Sequence, residues 1–149
     1  MIDTAAPARR QRFLYLLSVA QRRIQSAIQG DVDGKTAARA GVLMALKPDG
    51  QGMPMKQLGA DLDLGASSLS GLLDRMGRDG LIERLPDPVD RRAWNIALTD
   101  EGKVLRAEAV RSARILNDQL CDGFNDAELA IVARWLGAVI IKFPKETMK

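Results

Sequence analysis

Two polar clusters near the middle of the chain have the residue types and spacing to grip phosphates and base edges. The first is Ser67, Ser68 and Ser70, followed by Arg75 and Arg78. The second is Asp90, Arg91 and Arg92. Small hydroxyl side chains let a helix approach base edges closely, and an arginine fork matches guanine or phosphate. Each residue also has a plainer reading. Serines at a helix start cap the helix. Arg75 can pair with Asp74 or Asp79, which lie close by in sequence. D-R-R can be a solvated hairpin tip, and Asp90 reads as the acid that shapes that tip. Bulk charge does not decide. The net charge is +3, yet residues 66–100 hold five Arg against six acids. Phosphate affinity follows the cations presented, so the matter turns on where the arginines point.

What is missing narrows the chemistry. The chain has no His and one Cys. That removes the commonest general base and leaves no zinc ligand set. There is no glycine-rich phosphate loop and no nucleophile–base pair, so no enzyme, metal or cofactor is expected. Cys121 reads as a small buried hydrophobe or, alternatively, as a redox switch. Tyr15, Trp94 and Trp135 read as core residues or, alternatively, as the wall of an effector pocket, and no effector site is assigned. No run of about 18 apolar residues suggests a membrane span. No signal-peptide pattern is seen, and a lone Cys suits a reducing cytosol, so a cytoplasmic location is expected.

Several elements must position the two clusters. Residues 1–8 read as loose. A helix from about Pro7 to Gln29 is predicted by Phe13, Leu16, Leu17, Ala20, Ile24, Ala27 and Ile28, with Gly30 beyond its end. A second helix spans about Thr36–Lys47 and is broken by Pro48. A short third helix runs from Pro54 to Asp61, and Asp63-Leu64-Gly65 forms a turn. A fourth runs from Ala66 to Asp79, with Leu69, Leu72, Leu73 and Met76 as its buried stripe. Strands at Leu81–Leu85 and Ala93–Leu98 flank the proline-bounded tip P-D-P-V-D-R-R. Thr99 caps a fifth helix reaching about Cys121. Asn125 or Asp126 caps a sixth that ends near Phe143-Pro144. Leu129, Ile131, Val132, Trp135, Leu136, Val139, Ile140 and Ile141 wrap more than half of the sixth helix, so it needs a partner surface.

Two short helices followed by a basic-tipped ribbon make a winged helix-turn-helix. The second helix of the pair enters a major groove, and the ribbon reaches the flanking DNA. Three motifs carry a family resemblance: L-L-D-R-M followed by G-L-I-E-R, then D-P-V-D-R-R, then A-L-T-D-E-G. Together they resemble the MarR (multiple antibiotic resistance regulator) family of bacterial transcription factors. The resemblance implies a mainly α fold with a small β-hairpin wing. It also implies an obligate homodimer on a pseudo-palindromic operator, usually a repressor, often responsive to small phenolic or aromatic effectors or to oxidants. Arg92 matches the basic position of the family's wing motif. The family's peroxide-sensing branch keeps its reactive Cys in the first helix, far from Cys121, so that branch is not supported.

The expected layout is a single domain, 1–149. Residues 36–98 form the DNA-binding region, and residues 7–30 and 99–144 form a helical dimerisation region. The competing reading is a winged-helix protein–protein module without specific DNA binding. The modest local charge keeps it open.

Overall fold

The computed structural model describes residues 12–29 and 37–145. Its elements are α1 (Phe13–Gln29), α2 (Ala37–Ala45), β1 (Met53–Pro54), α3 (Met55–Asp61), α4 (Ala66–Arg78), β2 (Ile82–Pro86), β3 (Trp94–Leu98), α5 (Asp100–Cys121) and α6 (Asp126–Lys142). The chain divides into two compact units between Gly41 and Val42. In the first unit, Leu14 and Tyr15 of α1 stand in solvent, so Tyr15 is not the core residue its size suggested. The proposed helical start at Pro7 and the Gly30 cap lie outside the described residues, as does Thr36.

The second unit holds the core. Val42, Leu43 and Leu46 meet Leu58 of α3, the α4 stripe Leu69, Leu72, Leu73 and Met76, and Ile82, Ile96 and Leu98 of the sheet. Each such side chain contributes about 1.5–3 kcal/mol by leaving water. The α4 stripe is the one its i, i+3, i+4, i+7 spacing predicted. Helix α2 stops at Ala45, two residues short of expectation. Pro48 disfavours a helical Lys47, and the Leu46 amide closes the last turn on the Val42 carbonyl at 3.1 Å. The open carbonyl of Leu46 is met from far along the chain by Arg106 Nε of α5, at 2.8 Å.

The sheet is antiparallel in the order β1-β3-β2. Met53 pairs with Ile96, and Ile82 pairs with Leu98. Strand β1 was not expected, and Pro54 consequently precedes α3 as its N-cap instead of opening it. Both hairpin strands begin one residue later than predicted. Leu81 is used to end α4, and the Ala93 amide turns inward to the Asp90 carbonyl at 3.0 Å.

Two tight helix ends shape the helix-turn-helix. After α3, Asp63 takes φ 53°, the Asp63 amide bonds Ala60 O and the Leu64 amide bonds Gly59 O. After α4, Gly80 (φ 73°) does the same, with Gly80 N on Gly77 O and Leu81 N on Met76 O. These are paired Schellman closures, and glycine takes the second without a Cβ penalty.

Thr99 joins that closure to α5. Its hydroxyl donates to Gly80 O at 2.6 Å and accepts from Gly102 N at 3.1 Å, and its amide donates to Leu81 O at 3.1 Å. Gly102 is buried against this corner, where a Cβ would overlap Leu81 O. Helix α6 opens with a capping box between Asn125 and Glu128, which settles the choice of cap in favour of Asn125. None of its residues is buried. Trp135 stays 36% exposed and Trp94 49%, so neither is enclosed as the core reading expected. Cys121 is a half-buried free thiol with Asn117 Nδ2 3.8 Å from its sulfur. Among the described residues, no helix is long and apolar enough to cross a membrane, and no acid, Cys or His cluster could hold a metal.

Candidate nucleic-acid interface

Helix α4 buries its leucine stripe and turns its other side to solvent. Ser67 and Ser68 are exposed near its start, Ser70 is half-buried, and Arg75 and Arg78 are exposed in its second half. Gly65 is the N-cap and makes no side-chain cap bond. The serines therefore do not cap α4, and neither Ser67 nor Ser68 makes a side-chain hydrogen bond to a described residue. The alternative pairing of Arg75 with Asp74 is not made either. Asp74 Oδ1 instead accepts from Arg84 Nη2 of β2 at 2.6 Å. Arg75 and Arg78 form no ion pair with any described residue. The α4 face thus offers small hydroxyls at one end and, at the other, two guanidinium groups without an ion pair among the described residues.

The wing tip is held by its acids, which leaves its arginines available. Asp87 Oδ1 accepts from Val89 N at 2.8 Å and Asp90 N at 3.0 Å. Asp90 Oδ1 accepts from Arg92 N at 3.0 Å. Asp87 N closes the loop on Ala93 O at 3.2 Å. The amide of Asp90, then that of Val89, holds the Asp87 carboxyl below its ordinary value, because both donors favour the charged form. Arg91 and Arg92 are exposed, and neither side chain pairs with a described residue. An arginine held out on such a tip suits the strongly negative potential of a narrow minor groove.

Two contributors escaped sequence reasoning. Asp87 carries more of the tip's hydrogen bonding than Asp90. The signal was present, since an Asp followed by backbone donors two and three residues on is an Asx turn. The Asp74–Arg84 pair ties α4 to β2 across ten residues, and nothing local announces it. Both partners are substantially exposed, so the pair contributes orientation more than stability.

Two helices, a tight αL turn and a three-stranded sheet with an acid-braced tip form a winged helix-turn-helix. Residues 34–93 match the family model described as MarR family. That stretch of the chain is similar to the MarR family. A 32% identical stretch of 84 residues is shared with the HTH-type transcriptional regulator YsmB of Bacillus subtilis (strain 168), covering 56% of this chain and 58% of that protein. The chain thus matches little more than half the length of that relative. The fold is that of MarR-family regulators well beyond this stretch. A probable transcriptional regulator from Pseudomonas aeruginosa superposes with a TM-score of 0.75 at 25% identity, over 87% of this chain and 97% of that one. A mutant MarR from E. coli complexed with operator DNA gives 0.70 at 23%, over 87% and 92%. The PcaV regulator from Streptomyces coelicolor, in complex with its natural ligand, gives 0.72 at 22%, over 89% and 92%.

Proposed function

We propose that this chain is a homodimeric, sequence-specific DNA-binding regulator of the MarR family that represses from a pseudo-palindromic operator in the cytoplasm. One observation carries the reading. Four arginines, Arg75 and Arg78 on the solvent side of α4 and Arg91 and Arg92 on the wing, stand exposed without an ion pair to a described residue, on the two elements that a winged helix-turn-helix presents to DNA. A module built only for protein contact has no need of them. In this reading Ser67, Ser68 and Ser70 approach base edges with Arg75 and Arg78 beside them. Arg91 and Arg92 reach the flanking groove, and Asp90 shapes the wing with Asp87. Residues 36–98 do the binding, and residues 7–30 and 99–144 pair the two copies.

The uncovered helices support the pairing. Ile140 is 72% exposed, Ile141 80% and Phe143 78%, and all of α6 lacks a buried residue. An apolar helix of this kind is stable in water when a second surface covers it, and a second copy offers a matching one. A small aromatic or phenolic effector that alters the spacing of the two α4 helices completes the proposal.

The test is an anisotropy titration against the DNA upstream of the chain's own coding region, at several salt concentrations and with unrelated competitor DNA. Salt-sensitive binding that resists the competitor is expected. Arg92→Ala should weaken it about tenfold and lower the salt slope by about one, with helix content and dimerisation unchanged. Wild-type affinity in Arg92→Ala would remove the wing from the interface. Binding that competitor abolishes equally would favour the protein-contact reading.

A further inference from the structure

The wing tip carries an apolar side chain where a solvated turn ordinarily carries a polar one. Val89 is 93% exposed, the highest fraction among the exposed large hydrophobics of the described residues. One valine in water needs no explanation by itself. What sets Val89 apart is how firmly the tip presents it. Its amide donates to Asp87 Oδ1 at 2.8 Å, and the Asp90 amide donates to the same oxygen at 3.0 Å. Asp87 N on Ala93 O and Ala93 N on Asp90 O close the loop. Pro88 precedes it, with its own φ locked by the ring. A β-branched side chain on a fixed backbone keeps few rotamers, so little freedom is left to lose when it meets a surface. Arg91 and Arg92 stand exposed within three residues of it. The arginines suit phosphate or a negative groove, and the isopropyl group suits neither. Its place in such a groove is against the apolar parts of the base edges.

We infer that Val89 is a specificity-determining residue, which makes the wing select A·T pairs by lying on the minor-groove floor; this rests on the DNA-binding function proposed above. In that groove A·T and T·A pairs present only adenine N3 and thymine O2, and a G·C pair adds the guanine 2-amino donor. Against a valine that amino group loses its water and gains no acceptor, and an unpartnered donor is costly. The penalty therefore falls on G·C and spares A·T. A valine is also shorter than the Phe, Leu, Ile or Met wedges that enter between base steps, so the contact is with the floor and needs no kink. Arginine favours a narrow A·T groove through its potential, whatever stands beside it. The share due to Val89 is the part of the discrimination that follows the 2-amino group and disappears when the valine is changed.

The test is a set of anisotropy titrations of the full-length protein on an operator selected from a random duplex library. Four versions share the half-sites and differ in the pairs under the wings: A·T, G·C, inosine·C, which lacks the 2-amino group, and 2,6-diaminopurine·T, which adds it to an A·T pair. Wild type should bind the A·T and inosine·C versions alike and the two amino-bearing versions about tenfold more weakly. Val89→Ala should cut that ratio to about threefold, since a smaller side chain leaves the amino group room for water. Val89→Asn supplies an acceptor for the amino group and should bring the ratio to about one or reverse it. Val89 lies almost wholly in water, so both variants should keep wild-type helix content and dimerisation. An unchanged ratio in both variants would assign the discrimination to the arginines and overturn the role of Val89. Equal wild-type affinity for all four versions would overturn it too. In either case specific binding to the half-sites leaves the regulatory reading standing. Failure to select any specific operator would overturn the regulatory reading and the role of Val89 with it.

Discussion

Replacing Gly102 by alanine isolates the corner between α4 and α5. In most helices Gly→Ala is favourable by up to about 1 kcal/mol. Here the added Cβ would fall on the Leu81 carbonyl oxygen and press on Leu98 Cδ2. The obstacle is backbone, and it is already fixed by the Thr99 amide and the α4 closure, so it has little room to yield. Overpacking of a tight site costs about 1–3 kcal/mol, and a backbone obstacle places this case at the upper end. Set against the helix gain, the net loss is about 2 kcal/mol, or about 4–8 °C in Tm for a chain of this size. Gly77→Ala is the matched control, because Gly77 is exposed in α4 with open space where its Cβ would go. It should be neutral or stabilising. Thermal unfolding at one fixed protein concentration compares the two, since a dimer's Tm moves with concentration. Equal Tm values for the two variants would refute the close-approach argument.

Other expectations follow from single contacts. Thr99→Ala removes both hydroxyl bonds at the same corner and should cost about 1–2 kcal/mol in chemical denaturation, while Thr99→Ser should retain most of the stability. Asp87 contributes to the wing while ionised. Its folded pKa lies below the ordinary 3.8, so the contribution is complete above that value and is lost as pH falls through the depressed one. The Val89 and Asp90 amide shifts should therefore hold steady from neutral pH down to the ordinary carboxylate range and move only below it. A midpoint above 3.8 would contradict the hydrogen-bond cause. Ile141→Asp places a charge on the uncovered face of α6. Sedimentation should show at least tenfold weaker dimerisation with helix content kept, and an unchanged association constant would move the interface elsewhere.

Local chemistry was legible and distant chemistry was not. The α4 stripe followed from helical spacing, because four apolar residues on one face admit one orientation against a core. Thr99 was legible as a cap, and the α6 cap was narrowed to Asn125 or Asp126, because the capping bond spans three residues. Strand β1 was not, since two residues have no periodicity and its existence depends on β3 some forty positions later. Asp74 was read as a neighbour for Arg75, yet it bonds Arg84, whose approach is set by the chain reversal at Gly80. The aromatics misled for a different reason. Size predicts burial on average, but Tyr15, Trp94 and Trp135 lie on surfaces that the single chain leaves open. As for the candidate interface, residue types named the serines and arginines. Only the structure showed that the tip's acids bond backbone amides and so leave Arg91 and Arg92 unpaired.

The corner at Thr99 also has a mechanical meaning. With the Gly80 and Leu81 carbonyls both bonded to Thr99, the N-cap of α5, and no side chain at Gly102 to act as a cushion, the junction behaves as a welded bracket instead of a hinge. Helix α5 has 22 residues and is therefore about 33 Å long. Swung as a rigid arm about the bracket, its far end travels about 3 Å for every 5° of rotation. Run in reverse, a shift of that size at the distal end turns α4 by the same small angle with no slack to absorb it. In the proposed function such a lever has a use: small adjustments at the remote end of α5 would change the angle at which α4 meets DNA.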